Sequence, residues 1–463
     1  MDDATAIEGW SSAMIEERRA VLRETVAELV ESGERHALSL ILNNQHPADL
    51  AEVIRPYDDI QQRGLFALLA ESLAAGVLAE LDTTTLVDVV EGIDDQQLSD
   101  IVGEMEPDDA ADVLGELPEL QSEKVLELME VEEAEEVRQL LAHEEDTGGG
   151  IMTSRLLAVG EQMRVHEAID YLRTAAVPER IFNLYVEDAK GLLCGTLSLQ
   201  SLLLAQADSQ IASIVERDVI FIRADTDQEE IAHVFRDYDL LAVPVVDERG
   251  ALIGEITIDD IVAVIEEEAT EDMYVMAAMS SEEREERSVF GIVRRRVPWL
   301  LVCMAGTMLA GGVIHVFQQQ LAGVAILLLF TPAIMAMGGN AGIQTSTVTI
   351  RNLAMGELPS GSVRTAVWRE LRVALVMGLL LGSVVLCIST IWAGRWTVGL
   401  CVGLAMWSAV MLSAFLGALI PLGFRRLGVD PAVASGPLIT TLNDGMSLGM
   451  YFLIASAMFA YWG

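Results

Sequence analysis

Apolar positions along the chain follow three rhythms. From about residue 69 to 138 they recur every twelve residues, anchored at Leu69, Leu81, Ile93, Met105, Leu117 and Met129. Eight and nine residues after each anchor come Val77-Leu78, Val89-Val90, Ile101-Val102, Val113-Leu114, Val125-Leu126 and Val137-Arg138. Twelve residues suit one short helix and a turn, and Asp82, Asp94-Asp95 and Pro107-Asp108-Asp109 read as helix starts. Units this short bury an apolar face only by stacking, so the spacing predicts an α-helical superhelix. After Gly148-Gly149-Gly150 a second rhythm begins, in which residues 186–198 align with 245–257, 59 positions later. Each copy predicts an apolar strand, a polar turn, a second strand and a helix (199–206 and 259–268), with an amphipathic helix upstream at 165–175 and 228–237. The third pattern is five runs without charge, at 297–317, 321–350, 373–394, 396–424 and 432–462, the last broken only by Asp444. Each reaches the roughly 20 residues that a helix needs to cross the hydrocarbon core.

Charge sharpens this division. The chain has 71 acidic and 29 basic residues among 463. Ten Arg and four carboxylates follow Gly291, a balance of +6, which leaves −48 on the first 290 residues. So acidic a soluble part repels phosphate backbones and excludes nucleic acid as a main partner. Multivalent cations are its natural counter-charge. With the N-terminus inside, Arg294, Arg295, Arg296, Arg351, Arg364, Arg369, Arg372, Arg425 and Arg426 all fall on the cytosolic side and only Arg395 outside, as the positive-inside rule favours. Five spans then leave the C-terminus outside a multi-pass cell-membrane protein. The first run of membrane length begins near residue 297, so no signal peptide is expected. Cys194, Cys303, Cys387 and Cys401 have no CxxC spacing, which supports neither a disulfide framework nor a zinc site. Gly378…Gly382 and Gly399…Gly403 have the GxxxG spacing of close helix contacts, within one bundle or between two copies.

The candidate chemistry lies in the spans. A carboxylate at membrane depth costs roughly 2.5–3.5 kcal/mol on insertion scales, so Asp444 needs a partner or a pathway. It follows Gly436-Pro437 by a few residues, and span two carries Pro332 and the polar, Gly-rich stretch from Gly338 to Thr347. Both predict interrupted helices whose freed carbonyls surround a substrate site. Oxygen ligands without Cys or His select Mg²⁺, Ca²⁺ or Mn²⁺. No HExxH, Walker A, EF-hand or GxSxG pattern is present, and an enzyme is not expected. Two other readings stay open: a membrane-anchored nucleotide sensor, and an exporter or carrier coupled to Na⁺ or H⁺.

The two βαββα copies resemble a pair of CBS domains, regulatory modules that often bind adenine nucleotides. The resemblance places Asp260 of the second copy, and Ser201 of the first, where the family commonly contacts ribose. Pro332…Gly338-Gly-Asn-Ala-Gly-Ile-Gln344, Leu427-Gly-Val-Asp-Pro431 and Thr441-Leu-Asn-Asp444-Gly445 resemble the membrane signatures of the MgtE family of Mg²⁺ channels and transporters. The likeness covers essentially the whole chain. It implies a multidomain membrane protein divided into an acidic α-helical superhelical N-domain (1–147), tandem α+β CBS domains (148–213 and 214–268), a long acidic connecting helix (269–296) and a five-helix transmembrane domain (297–463). It also implies a homodimer whose pore is lined by spans two and five, with Gly338, Gly339, Asn340, Gln344, Thr441 and Asn443 along it and Asp444 holding hydrated Mg²⁺. Regulatory Mg²⁺ sites are implied at Asp108 and Asp112, at Asp227, Glu229 and Asp239, and at Asp260, Glu268 and Glu271, with Asp430 facing the linker. Gly76 and Ala263 stand where the family pattern has carboxylates, which leaves the number of metals in those shells open. ATP at the CBS pair is a further expectation. Crowded carboxylates repel, and two like charges ~4 Å apart cost on the order of 4 kcal/mol at an effective dielectric near 20. Cytosolic Mg²⁺ bridging them is therefore expected to favour a compact, closed state.

Overall fold

The computed structural model describes residues 12–174, 182–277, 279, 288–317, 322–354, 363–434 and 436–462. The chain divides into two units, Met1–Ile265 and Glu266–Gly463.

The first unit opens with short helices: α1 (Ser12–Ser32), α2 (Arg35–Leu42), α3 (Pro47–Ile54), α4 (Asp59–Phe66), α5 (Glu71–Ala79), α6 (Thr83–Val90), α7 (Asp95–Val102), α8 (Pro107–Gly115), α9 (Glu119–Leu128) and α10 (Val131–Leu141). The twelve-residue rhythm is one helix plus one turn. Asp82 and Asp94 cap α6 and α7, accepting from Thr85 N and from the N–H groups of Gln96 and Gln97. Such a cap contributes ~1 kcal/mol. The doublets fall on the buried faces; Val77, Leu78, Val89, Val90, Ile101, Val102, Val113, Leu114, Val125 and Leu126 are all in the core. Alternate helices stack: α3 on α5, α4 on α6, α5 on α7, α7 on α9 and α8 on α10.

Two βαββα copies follow. The first holds β1 (Ala158–Gly160), α11 (Val165–Thr174), β2 (Asn183–Glu187), β3 (Leu193–Ser198) and α12 (Leu199–Leu204). The second holds β4 (Ile222–Arg223), α13 (Gln228–Tyr238), β5 (Ala242–Val246), β6 (Leu252–Thr257) and α14 (Ile258–Met276). In each three-stranded sheet the first strand pairs parallel to the second and the second antiparallel to the third. The repeat holds to the register: Val186 pairs with Gly195, and Val245 with Gly254. The second copy shares its core with the helical domain, while the first keeps a core of its own. The buried Tyr185 hydroxyl donates to Glu255 at 2.6 Å and ties the copies together. α14 continues unbroken past residue 268, so the connecting helix begins as the last helix of the second copy.

The second unit contains α15 (Val289–Phe317), a 3-10 segment (Ala322–Phe330), α16 (Thr331–Ala354), α17 (Val363–Ala393), α18 (Trp396–Arg426), a 3-10 turn (Pro431–Ala434) and α19 (Gly436–Trp462). Among the described residues four helices are long and apolar enough to cross a membrane, covering Val289–Phe317, Ile326–Ala354, Arg364–Ala393 and Trp396–Arg426. α19 is 27 residues long and joins them as the fifth helix of the bundle, carrying Asn443 and Asp444. α18 is the centre, packed on α16, α17 and α19, while α15 packs on α19.

The expected helix interruptions are absent. α16 is helical through Gly338–Gln344 and α19 through Asp444. Pro332 and Pro437 lie in the first turns of their helices, where a missing N–H costs nothing. The irregular backbone lies outside those motifs, in the two 3-10 segments. The glycines serve packing: a Cβ on Gly342 would lie 2.8 Å from Ile439 Cγ2, and one on Gly417 would lie 2.5 Å from the Gly342 carbonyl oxygen. The GxxxG motifs also act within the chain, since a Cβ on Gly382 would lie 2.8 Å from the Gly403 carbonyl oxygen on α18.

Candidate cation pathway and cation-binding carboxylates

Asp444 is the one carboxylate in the five uncharged runs. It is half-buried on α19 and makes no hydrogen bond or ion pair with the described residues. Its surroundings follow from how α19 lies antiparallel in the groove of α16. Ile439 meets Gly342, Thr440 meets Gly339, and Asn443 meets Gly338. Thr441 turns toward Gly306 of α15. Asn443 is 0 % exposed. Its Oδ1 accepts from Ser413 Oγ on α18 and from Ser447 Oγ, the latter at 2.7 Å. Its Nδ2 has no hydrogen-bond partner among the described residues.

Of the residues expected along a pore, Gly338, Gly339 and Asn443 are therefore inside the bundle and Thr441 is against α15. The reason is steric: small residues on α16 admit the Asn443 amide, and Ser413 and Ser447 hold it there. Asn340 and Gln344 are exposed, one turn apart on α16. A polar face at that depth fits a water-filled path better than lipid. Ser413 and Ser447 were not legible as part of the site, because a small hydroxyl in an apolar run usually bonds its own helix.

The soluble unit holds a different arrangement. α8 brings Asp108, Asp109 and Asp112 beside Asp260 in the first turn of α14, with Glu106 and Glu145 near. Burial, then repulsion from Asp108 and the neighbouring carboxylates, pushes Asp109 and Asp112 up to about 7. Asp260 is also pushed up to about 7 by burial and by Asp108, against the opposing hydrogen bonds from Thr257. Burial raises Asp108 as well, opposed by the first-turn backbone N–H groups, by Thr153 and, least, by Arg155. Asp108 Oδ1 is buried without a hydrogen-bond partner among the described residues. Asp109 joins the expected Asp108, Asp112 and Asp260; its signal was the doubled Asp at a helix start.

The remaining carboxylates are dispersed. Asp227 caps α13, accepting from Glu229 N at 3.0 Å, whereas Asp239 ends that helix at φ 52°. Eleven helical residues separate them, about 18 Å over twelve steps of 1.5 Å, so this chain alone does not bring them together. Glu268 and Glu271 lie on the distal part of α14. Asp430 comes within electrostatic reach of that part: burial first, then Asp430 and Glu271, raises Asp272. Asp272 was visible only as one more acid in a run. Gly76 has a steric reason for carrying no carboxylate, since a Cβ there would lie 3.0 Å from Pro47 Cγ. Ala263 is exposed on α14. No group of three or more His, Cys, Asp or Glu among the described residues closes into a cage able to hold a metal directly.

Residues 331–454 match the model of the MgtE divalent cation transporter family, residues 45–146 that of the MgtE intracellular N domain, and residues 211–267 that of the CBS domain. The chain is 38% identical over 316 residues to the magnesium transporter MgtE of Thermus thermophilus, covering 68% of this chain and 70% of that one. The chain belongs to the MgtE family. The magnesium transporter MgtE of Enterococcus faecalis is 35% identical over 322 residues, covering 69% of this chain and 71% of its own. A crystal structure of the cytosolic domain of the Mg²⁺ channel MgtE in complex with ATP shares 34% identity at a TM-score of 0.49, covering 52% of this chain and 99% of that one. Membership of a transporter family, not an enzyme family, accounts for the absence of catalytic motifs.

Proposed function

We propose that this chain takes up Mg²⁺ across the cell membrane and is closed by cytosolic Mg²⁺. The observation that carries the reading is Asp444: a lone, half-buried carboxylate without a partner among the described residues, in a bundle with the exposed amides of Asn340 and Gln344. Mg²⁺ sheds water reluctantly and is held by few carboxylates and retained waters, so one Asp per chain suits a hydrated ion. Asp444 attracts the ion, and Asn340 and Gln344 offer acceptors to its water shell. Asn443 is assigned the packing of α19, not the pore surface.

For regulation, the residues at the α8–α14 junction fit a hydrated cation. Asp108, Asp109, Asp112 and Asp260 crowd together with one buried carboxylate oxygen unpartnered among the described residues. That is an excess of acceptors awaiting a positive charge, although not a closed cage. Asp272, Glu271 and Asp430 form a second, smaller set, and Glu268 extends it along α14. ATP beside Asp260 would add negative charge to the first set, so nucleotide there is expected only together with a cation. We assign the cytosolic side to the N-terminal domains and the outside to the C-terminus. A homodimer is supported by exposed Leu203 (71%), Leu204 (78%), Phe221 (53%) and Leu241 (55%) on the CBS pair, a collection that monomers seldom leave uncovered. In the assembly, a second copy is what would bring an Asp239 to Asp227 and Glu229, which one chain holds at opposite ends of α13.

The test is ion flux into proteoliposomes carrying the wild-type chain, with and without a membrane potential, for Mg²⁺, Mn²⁺, Co²⁺ and Ca²⁺. Uptake of Mg²⁺ that follows the potential supports the reading. Transport that requires an opposing Na⁺ or H⁺ gradient refutes it in favour of a coupled carrier.

A further inference from the structure

One charged surface of the membrane unit has no role in the pathway proposed above. α17 is 31 residues long. Its uncharged part begins only after Arg372, and from there to Ala393 it extends about 31 Å, enough for the hydrocarbon core. Residues 363–372 therefore run through the headgroup layer. Arg364, Trp368 and Arg372, at i, i+4 and i+8, share one helix face, with Thr365 and Arg369 beside them. All five are exposed and line one open pocket. Arg369 is paired with Glu370 at 3.3 Å. Arg364 and Arg372 have no carboxylate partner among the described residues, in a chain with 71 of them.

We propose that Arg364, Trp368 and Arg372 bind the phosphodiester of an anionic phospholipid in the leaflet at the N-terminal end of α17. A guanidinium donates two parallel N–H bonds to phosphate oxygens, and two of them about two helical turns apart, roughly 12 Å along the axis, can reach toward one headgroup from either side. The Trp368 ring belongs at the interface, where its apolar body meets acyl chains and its N–H meets ester oxygens. Thr365 adds a hydroxyl donor. A zwitterionic lipid presents the same phosphate with its own cation attached, so a net negative headgroup is preferred.

The experiment uses the full chain in nanodiscs of phosphatidylcholine, with and without phosphatidylglycerol, reading melting temperature and the lipid retained after transfer to detergent. Phosphatidylglycerol should raise the wild-type melting temperature and stay bound. R364Q/R372Q should lose most of that shift, with retained anionic lipid falling on the order of tenfold. R364K/R372K keeps charge without the planar fork, folds under milder demands, and should fall between the two. R425Q/R426Q, at the end of α18, should behave as wild type. The proposal is overturned by wild-type retention in R364Q/R372Q, or in R364K/R372K if the Gln variant does not fold. Equal losses in R425Q/R426Q would show an unspecific basic collar and overturn it too. So would stabilisation of the wild type by glycerol phosphate with no lipid retained, which would assign the surface to a free anion.

Discussion

The carboxylates of the soluble unit and the carboxylate of the membrane unit face opposite difficulties. Asp108, Asp109, Asp112 and Asp260 are crowded, and repulsion adds to burial in pushing three of them up to about 7. Asp444 is alone, and its difficulty is the loss of water at membrane depth. A crowd is relieved by a cation that stays. A lone acid in a span is relieved by an ion that arrives with its own waters and leaves again. In the function we propose, one cation regulates at the first place and is cargo at the second, through different physics.

The strongest break in this comparison is Asp444→Ala. Mg²⁺ flux should fall on the order of a hundredfold, the equivalent of the ~2.5–3.5 kcal/mol that the carboxylate costs to place. Radiotracer or dye-based uptake at equal membrane expression checks it. Next comes the triple variant Asp108→Asn, Asp112→Asn, Asp260→Asn. The internal Mg²⁺ concentration that halves flux should rise on the order of tenfold, within the usual range of coupling energies, while maximal flux is kept.

A pH titration of stability sharpens the contrast further. Asp109, Asp112 and Asp260 have folded values near 7 against an ordinary 3.8. Between those values the folded state keeps protons that the unfolded chain has released, so stability present below about pH 4 is lost as pH rises through about 7. Without Mg²⁺, thermal melting of the soluble unit should therefore fall between pH 5.5 and 8, by on the order of 1–3 kcal/mol after screening. Millimolar Mg²⁺ should restore it at pH 8, and the triple variant, which keeps the buried Asp109, should show a smaller fall with pH and little response to Mg²⁺. The smallest change is expected for Asp82→Ala, which removes a cap from α6 at a cost of ~1 kcal/mol with no dependence on Mg²⁺. Denaturant unfolding of the soluble unit measures that cost.

Much of the fold was legible because its repeats are periodic. Doublets such as Val113-Leu114 marked each buried helix face, and the 59-residue offset carried through to matching strand registers. The four helices long and apolar enough to cross a membrane were legible as uncharged apolar runs. The glycines of α16 misled, because a glycine that breaks a helix and one that admits a neighbour look the same in one sequence. What distinguishes them is the opposite side chain, here Asn443 against Gly338 and Ile439 against Gly342. It was the family resemblance that put Asn443 along the pore: neighbours on a helix point about 100° apart, and only packing decides which of Asn443 and Asp444 turns inward. Asp109 and Asp272 stood in acidic motifs, but which acids they meet was not legible, since proximity across elements leaves no mark in local spacing.

The most direct test of the two roles is one flux experiment with the cytosolic-side Mg²⁺ concentration as its variable. Wild-type flux should decline as that concentration rises, the triple Asn variant should stay open over the same range, and Asp444→Ala should be inert throughout. Inhibition of the triple variant at the wild-type concentration, or normal flux through Asp444→Ala, would contradict the account.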